Sequence, residues 1–409
     1  MAVRERVLVL GINCMPELIG IGKYTGEMGS WLANNGYETV VVTGFPYYPH
    51  WKVQKPYSGK FYKKELSHRG KLCIYRCPMY VPARPTGLKR MIHEASFFIS
   101  SFFMIFRLLF RKRYDLIFSV APPFHLGFLA LFYRFIRGGK IVYHIQDLQV
   151  DSAKELNMLP KVLFPFLFSL ERFILKRVDH VSTISEGMIK QLKSKVKREV
   201  LFFPNWVDTA RFYPLNNSLS RKSAWGFKPE DKIVLYSGSM GEKQGLDVLI
   251  DIAENLKRNQ TIQFVLCGTG PYKKSLISAA KERDLSNVHF FPLQDNDVFN
   301  DFLNIADVHL VLQKGDASDL VMPSKLSTIL SVGGLVLVTA NKETALYKVI
   351  MENNMGVTVP AENEAELQKQ IELSCSEDYS LFRENARKYA EQFLDKENIL
   401  FDLLGRMRK

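Results

Sequence analysis

Three glycine-bearing turns, a histidine–aspartate pair and a lysine behind a proline carry the chemistry open to this 409-residue chain. The first turn, Gly20-Ile21-Gly22-Lys23-Tyr24-Thr25-Gly26, follows the strand-like run Val7–Leu10 and opens a helix. Glycine lets backbone approach a ligand, and the free amides of a helix start favour an anion. A generic turn has the same composition. The pair stands in Val142-Tyr143-His144-Ile145-Gln146-Asp147, at the end of another strand-like run. An imidazole delivered there can hydrogen-bond a substrate hydroxyl, and the nearby carboxylate can take or orient its proton. A lone histidine is as readily a satisfied core residue, and Asp151 is a further carboxylate close by. The second glycine turn, Tyr236-Ser237-Gly238-Ser239-Met240-Gly241-Glu242-Lys243-Gln244-Gly245, places amides and Lys243 to meet a phosphate. The third, Cys267-Gly268-Thr269-Gly270-Pro271, reads alone as an ordinary loop. In Pro323-Ser324-Lys325-Leu326, the hydroxyl, the ammonium and the helix start after proline supply donors for a diphosphate.

The elements that must position these residues alternate. Strands are expected at Val7–Leu10, Glu38–Thr43, Lys71–Tyr75, Leu116–Val120, Lys140–His144 and His180–Ile184, with a helix from about Lys23 to Asn34. The second half repeats the rhythm at Ile233–Tyr236, Gln263–Cys267, His289–Phe291, Val308–Leu312 and Val336–Thr339, with a helix near Leu246–Arg258. Such alternation predicts parallel sheets covered by helices, with ligands at the carboxyl ends of the strands. Between the halves runs Phe203-Pro204-Asn205-Trp206-Val207-Asp208-Thr209-Ala210-Arg211-Phe212-Tyr213-Pro214, after the apolar run Glu199–Phe202. Prolines at both ends with an Asn and an Asp between them spell a structured turn. A length of 409 residues also exceeds what one core usually supports. The expectation is an α/β protein of two doubly wound, Rossmann-like domains, residues 1–205 and 206–390.

Composition narrows the partners. The net charge of +13 implies an anionic one. Zinc spacings, an aromatic RNA-binding signature and a basic region with heptads are all missing from the sequence, which argues against nucleic acid and favours phosphate ligands and a membrane surface. Five scattered cysteines make neither a metal site nor a secreted disulfide framework, and the chain enters its first strand almost at once, leaving no room for a signal peptide. A reducing cytoplasm fits. No uninterrupted apolar run reaches the roughly 18–20 residues of a spanning helix. Three segments come near, Phe97–Phe110, Leu126–Ile136 and Val162–Leu175, each flanked by basic residues. They read as core helices, as interfacial ones held by apolar rings and anionic lipid, or as both.

Taken in order, these motifs resemble the nucleotide-sugar-dependent glycosyltransferases of the GT-B type, family 4. The crossing is similar to that family's "PNGVD…F.P" segment, with Trp206 in place of glycine. His144 and Asp147 match its "HD"-type segment, and Gly20-Ile21-Gly22-Lys23 matches the loop that approaches the donor diphosphate. Gly268-Thr269-Gly270-Pro271 resembles its "GxGP" turn near the base, and Asn304-Ile305-Ala306-Asp307-Val308 its "ADV" segment. Two departures stand out. The family's "G-R…K-G" clamp has Ser239 and Gln244 where Arg and Lys belong, with Lys243 one residue early. The family's two glutamates, one touching the donor sugar and one the ribose, are replaced by Leu320 and Thr328; Asp316 or Asp319 is left as a shifted carboxylate. The phrases Ile19–Met28, Pro46–Pro49 and Gly241–Gly245 are similar to bacterial surface-polysaccharide enzymes, the colanic-acid and O-antigen deoxysugar transferases.

The resemblance implies a GT-B fold whose last helix, 391–409, crosses back to the first domain. It also implies retaining transfer of a sugar, from a UDP- or GDP-linked and possibly 6-deoxy donor, to a polyprenyl-diphosphate-linked glycan at the cytoplasmic face of the membrane. No metal or other cofactor is implied. Its catalytic residues would be His144 and Asp147. Its donor-binding residues would be Gly20, Gly22, Lys23, Gly238, Ser239, Lys243, Gln244, Gly268, Gly270, Pro323, Ser324, Lys325, Leu326 and Thr328. Two rivals keep the fold: a nucleotide-sugar epimerase, which needs no lipid acceptor, and a non-catalytic membrane scaffold.

Overall fold

The computed structural model describes residues 5–17, 20–155, 159–216, 218–314 and 323–408. Contacts divide the chain into two units, Met1–Pro204 and Asn205–Lys409. The first unit contains strands β1 (Arg6–Leu10), β2 (Glu38–Gly44), β3 (Lys63–Ser67), β4 (Leu72–Cys77), β5 (Leu116–Ala121), β6 (Lys140–Ile145), β7 (His180–Thr183) and β8 (Leu201–Phe202). They form one sheet in the order β3-β4-β2-β1-β5-β6-β7-β8. All neighbours are parallel except β3 against β4. The continuous apolar run of β1, Val7 to Leu10, is buried on both faces, as the centre of a helix-covered parallel sheet requires.

The helices of this unit that matter below are α1 (Gly20–Asn34), α2 (Gly87–Leu109), α3 (Leu126–Arg137), α4 (Gln149–Glu155) and α5 (Phe164–Arg177). On α2, Phe97, Ser101, Met104, Ile105 and Leu108 recur at helical spacing and are buried. A second face of the same helix stays exposed: Leu88, Met91, Ile92, Ile99, Phe103 and Phe106. By length and composition α2 is apolar enough to cross a membrane, a property that uninterrupted runs alone did not reveal. In its most apolar window 44% is buried inside the fold, so the helix packs one face on the core and leaves another apolar face exposed. Phe135 on α3, Val162, and Phe166 and Phe173 on α5 are exposed as well.

The second unit is a parallel sheet of β9 (Lys232–Ser239), β10 (Ile262–Thr269), β11 (Val288–Phe291), β12 (Val308–Val311), β13 (Val336–Thr339) and β14 (Gly356–Val359), ordered β11-β10-β9-β12-β13-β14. In both sheets the order reverses at the first strand, between β1 and β5 and between β9 and β12. These are the switch points where doubly wound sheets take ligands.

The mid-chain crossing is anchored residue by residue. Phe203 donates its amide to Thr183 O at 2.8 Å, continuing the first sheet. Beyond the boundary, Trp206 is buried and Val207 pairs with the C-terminal segment: its amide reaches Leu394 O at 2.8 Å and its carbonyl receives Lys396 N at 2.9 Å. Arg387 Nη1 donates to Phe212 O at 2.8 Å and Ser331 O at 2.7 Å. Lys396 Nζ bonds Asp208. Burial works against the Asp208 charge, but Lys396 and the amides of Arg211 and Ala210 outweigh it and hold the carboxyl below its usual range. The C-terminal helix, Lys396–Arg408, groups with the second unit.

Candidate active site

In the second unit two of the expected phosphate-binding residues, Gly238 and Lys325, lie side by side. The helix Ser324–Ser331 starts after Pro323 and brings Lys325 against the end of β9. The Lys325 ammonium lies 3.7 Å from the centroid of the Tyr236 ring. A Cβ placed on Gly238 would meet Lys325 Cδ at 3.6 Å and Nζ at 3.8 Å. The stem of Lys325 is half-buried, whereas its Nζ atom is wholly buried and has no hydrogen-bond partner among the described residues. Burial pushes its pKa down to about 7. That penalty is on the order of 5 kcal/mol, and an anion reaching Nζ would offset it. The Tyr236 hydroxyl donates to Ser239 O at 2.6 Å, and burial keeps it protonated.

Around this lysine the glycines divide by physical role. Gly238 has φ +146°, and its missing side chain leaves room beside Lys325. Gly268 and Gly270 are glycine for another reason. A Cβ on Gly268 would fall 1.9 Å from Gly238 O, and one on Gly270 would fall 2.1 Å from Met240 O. Their spacing is thus set by the close approach of β10 to β9, whose register pairs Gly268 with Gly238. Ser239 is exposed. Gln244 Oε1 accepts from Gly241 N at 3.0 Å, closing the turn, and Gln244 lines a 230 Å³ cavity with Gln313, Lys314 and Thr339. The Lys243 backbone belongs to that turn, and its side chain lies outside the described residues. So do Asp316, Asp319 and Leu320. Ser324 is exposed and Pro323 half-buried, but Leu326 and Thr328 are buried. Leu326 packs in the core of the unit, which corrects the expectation that it meets a donor.

In the first unit, Gly20 (φ +62°) and Gly22 line a 320 Å³ cavity with Asn13, Tyr47, Tyr48 and Trp51. Gly22 is glycine because a Cβ would lie 2.5 Å from Glu17 Oε2. Glu17 is what shapes the loop. Its Oε1 accepts from the amides of Tyr47 and Tyr48, both at 2.9 Å, and its Oε2 accepts from Asn13 Nδ2 at 2.9 Å. Lys23 is half-buried, its ammonium 5.2 Å from the centre of the Tyr24 ring.

His144 meets a different geometry from the one expected. The ring is 2% exposed, wedged between Phe118 and Phe203, with Nδ1 3.1 Å from Ser182 Oγ. Burial lowers its pKa to about 3, so it is a neutral imidazole inside the sheet. Asp147, beyond the strand end, is exposed and accepts from Ser152 Oγ at 3.3 Å. Among the described residues, no group of three or more His, Cys, Asp or Glu is gathered as a metal-ligand set.

Four polar residues close to these cavities escaped the sequence reading. His93 lies on α2 with its ring centre 4.6 Å from that of Tyr47 and its Nε2 buried without a partner among the described residues. Arg90, one helical turn earlier, lies over Trp51 at 5.3 Å. Glu94 receives both hydrogen bonds of Gln149 Nε2, at 2.8 and 2.7 Å, and Gln149 Oε1 accepts from Phe124 N at 2.9 Å. The available signal was the spacing of Arg90, His93 and Glu94 at i, i+3 and i+4, one polar patch on a helix otherwise read as apolar.

The comparisons with known proteins agree on a class. The glycosyl transferase 4-like domain family matches residues 20–206, and the family described as glycosyl transferases group 1 matches residues 219–393. The Escherichia coli (strain K12) protein named as the colanic acid biosynthesis glycosyl transferase WcaI is 39% identical over 415 aligned positions, covering 98% of this chain and 100% of the relative. Among solved structures, sucrose-phosphate synthase from Thermosynechococcus elongatus superposes with TM-score 0.76 at 16% identity, over 99% of this chain and 98% of that one. Anabaena HepE in complex with UDP and glucose gives TM-score 0.69 at 14% identity, over 99% and 100%. At those identities the structures show the fold, α/β of the GT-B class.

Proposed function

The chain belongs to the group 1 glycosyl transferases, and on that footing we propose that it moves a sugar from a nucleoside diphosphate sugar to a lipid-linked glycan. The pathway class is bacterial surface-polysaccharide assembly, after the role named for its E. coli relative. In the proposed step the bond from the anomeric carbon to the diphosphate oxygen breaks and a bond to the acceptor hydroxyl oxygen forms, with retention at that carbon. The nucleoside diphosphate leaves as an anion, and the hydroxyl proton passes to a base. UDP as the leaving group has support from HepE, which was solved with UDP; GDP is the other candidate.

One observation carries this proposal: the buried ammonium of Lys325 beside Gly238, without a hydrogen-bond partner among the described residues. A cation held away from water and facing open backbone is preorganised for charge that develops on a leaving group. Gly238 and the exposed helix start at Ser324 would bind the rest of the diphosphate. Asp147, exposed beyond β6, would meet the acceptor hydroxyl. The reading asks for no metal, because the protein's own cations and amides supply the charge. The +13 net charge and the exposed apolar residues of α2, α3 and α5 support an acceptor at the cytoplasmic membrane face.

Lys325→Ala tests the assignment. Turnover should fall by about 10²–10³-fold, the scale of removing one preorganised charge-stabilising group. Lys325→Arg should recover only part of it, since a guanidinium does not match the ammonium's position over Tyr236. Near-normal transfer by the alanine variant defeats the assignment.

A further inference from the structure

The first unit holds a second, larger cavity of 630 Å³, within the size range of sites for small organic ligands. Much of its wall is apolar: Met91, Ala95, Phe98 and Ile99 on α2, then Val150 on α4 and Leu167 on α5; Asp147 and Ser152 line it as well. Met91 and Ile99 also belong to the exposed face of α2, at 44% and 59% exposure. The cavity therefore borders the exposed apolar face of α2, the kind of surface that a lipid could cover.

Another part of its lining is polar. Arg90 and Glu94 line this cavity and also the 320 Å³ cavity at Gly20 and Gly22. Arg90 is exposed, so its cation is available to an anion. Gln149 bridges Glu94 to the Phe124 backbone, and burial raises the Glu94 carboxyl to about 7, weakening its repulsion of an anion beside Arg90. His125 Nε2 is buried in the same wall with no partner among the described residues, leaving a hydrogen-bonding atom for a ligand.

We propose that the apolar part of this cavity holds the hydrocarbon chain of the acceptor, with the acceptor's phosphate at Arg90 and its glycan on the polar side, toward Asp147 and the smaller cavity. This rests on the lipid-linked acceptor proposed above. An ordinary bilayer phospholipid would fill the apolar part, but its headgroup has no glycan for the second cavity. Arg90, Glu94 and Ala95 thus become selectors of the acceptor rather than parts of a general membrane anchor.

The test uses the full chain and two substitutions at exposed positions of α2. Ala95→Phe fills the cavity from a position where added bulk need not disturb the core. With two acceptors of one glycan, on a long and on a short polyprenyl diphosphate, the unaltered protein should prefer the long chain by about tenfold in kcat/KM. Ala95→Phe should erase that preference at an unchanged melting temperature. Arg90→Ala should raise KM about tenfold for the diphosphate-linked acceptor and leave an uncharged alkyl glycoside of the same glycan unaffected. Preference retained in Ala95→Phe, or equal losses on both acceptors in Arg90→Ala, overturns the proposal. So does loss of flotation with phosphatidylglycerol vesicles in Ala95→Phe, which would make the occupant a bilayer lipid. Native mass spectrometry with polyprenyl phosphate and no donor separates the two proposals. Binding that Ala95→Phe abolishes supports the cavity even where transfer fails, and the absence of binding overturns it even where transfer succeeds.

Discussion

Lys325 is the residue at which sequence, geometry and chemistry coincide. Its pKa near 7 means the amine is largely neutral above that pH in the free protein. A bound diphosphate favours the charged form and raises the pKa, so binding at pH 8 must take up a proton. Affinity for the nucleoside diphosphate should then fall by up to about tenfold per pH unit above pH 7, until the bound-state pKa is passed. Calorimetry at pH 8 in buffers of different ionisation enthalpy should show uptake approaching one proton, lost in Lys325→Ala. A buffer-independent enthalpy contradicts this. The glycines were legible as special positions, but the reason for each was not. Gly238 opens space beside Lys325, whereas Gly22, Gly268 and Gly270 are required by Glu17 and by neighbouring backbone. The burial of His144 between Phe118 and Phe203 was not legible, because a strand end reads the same whether its side chain faces solvent or is covered. Glu17, Arg90 and Glu94 gave no motif, because their partners lie far along the chain or on another helix.

At the scale of elements, β-branched runs located most strands, since a strand buried on both faces must be continuously apolar. The strand β3, Lys-Lys-Glu-Leu-Ser, was missed because it is an edge, polar and antiparallel, held by β4 alone. The short β14, Gly-Val-Thr-Val, was missed as well, its opening glycine and polar threonine breaking the continuous apolar run that marked β13 of the same length. For the three apolar segments the sequence left core and interface both open. The fold shows that α2 serves the core with one face and exposes Phe103 and Phe106 on another, beside the exposed Arg107. Replacing both phenylalanines with Glu should lower co-sedimentation with phosphatidylglycerol vesicles by about tenfold or more, through lost apolar insertion and added repulsion. The melting temperature should move little, because neither ring contributes to the core. Undiminished vesicle binding removes α2 from the membrane account.

For the whole molecule, proline, asparagine and aspartate mark a fixed turn in mid-chain, and contacts divide the chain at Pro204 and Asn205. What the sequence did not show is how tightly the residues after it are clamped. Val207, Asp208, Thr209 and Phe212 are bound by Arg387, Leu394, Asp395 and Lys396, nearly two hundred residues later. Two Rossmann-like units could serve a transferase, an epimerase or an inert scaffold, and membership of the group 1 glycosyl transferases favours the first. The decisive measurement is nucleotide release by the purified chain across a panel of UDP- and GDP-sugars, with and without a polyprenyl-diphosphate-linked glycan. The account predicts release that depends on the acceptor, with a product of retained anomeric configuration. Conversion of the sugar without acceptor, or binding of nucleotide sugars with no release under any pairing, would contradict it.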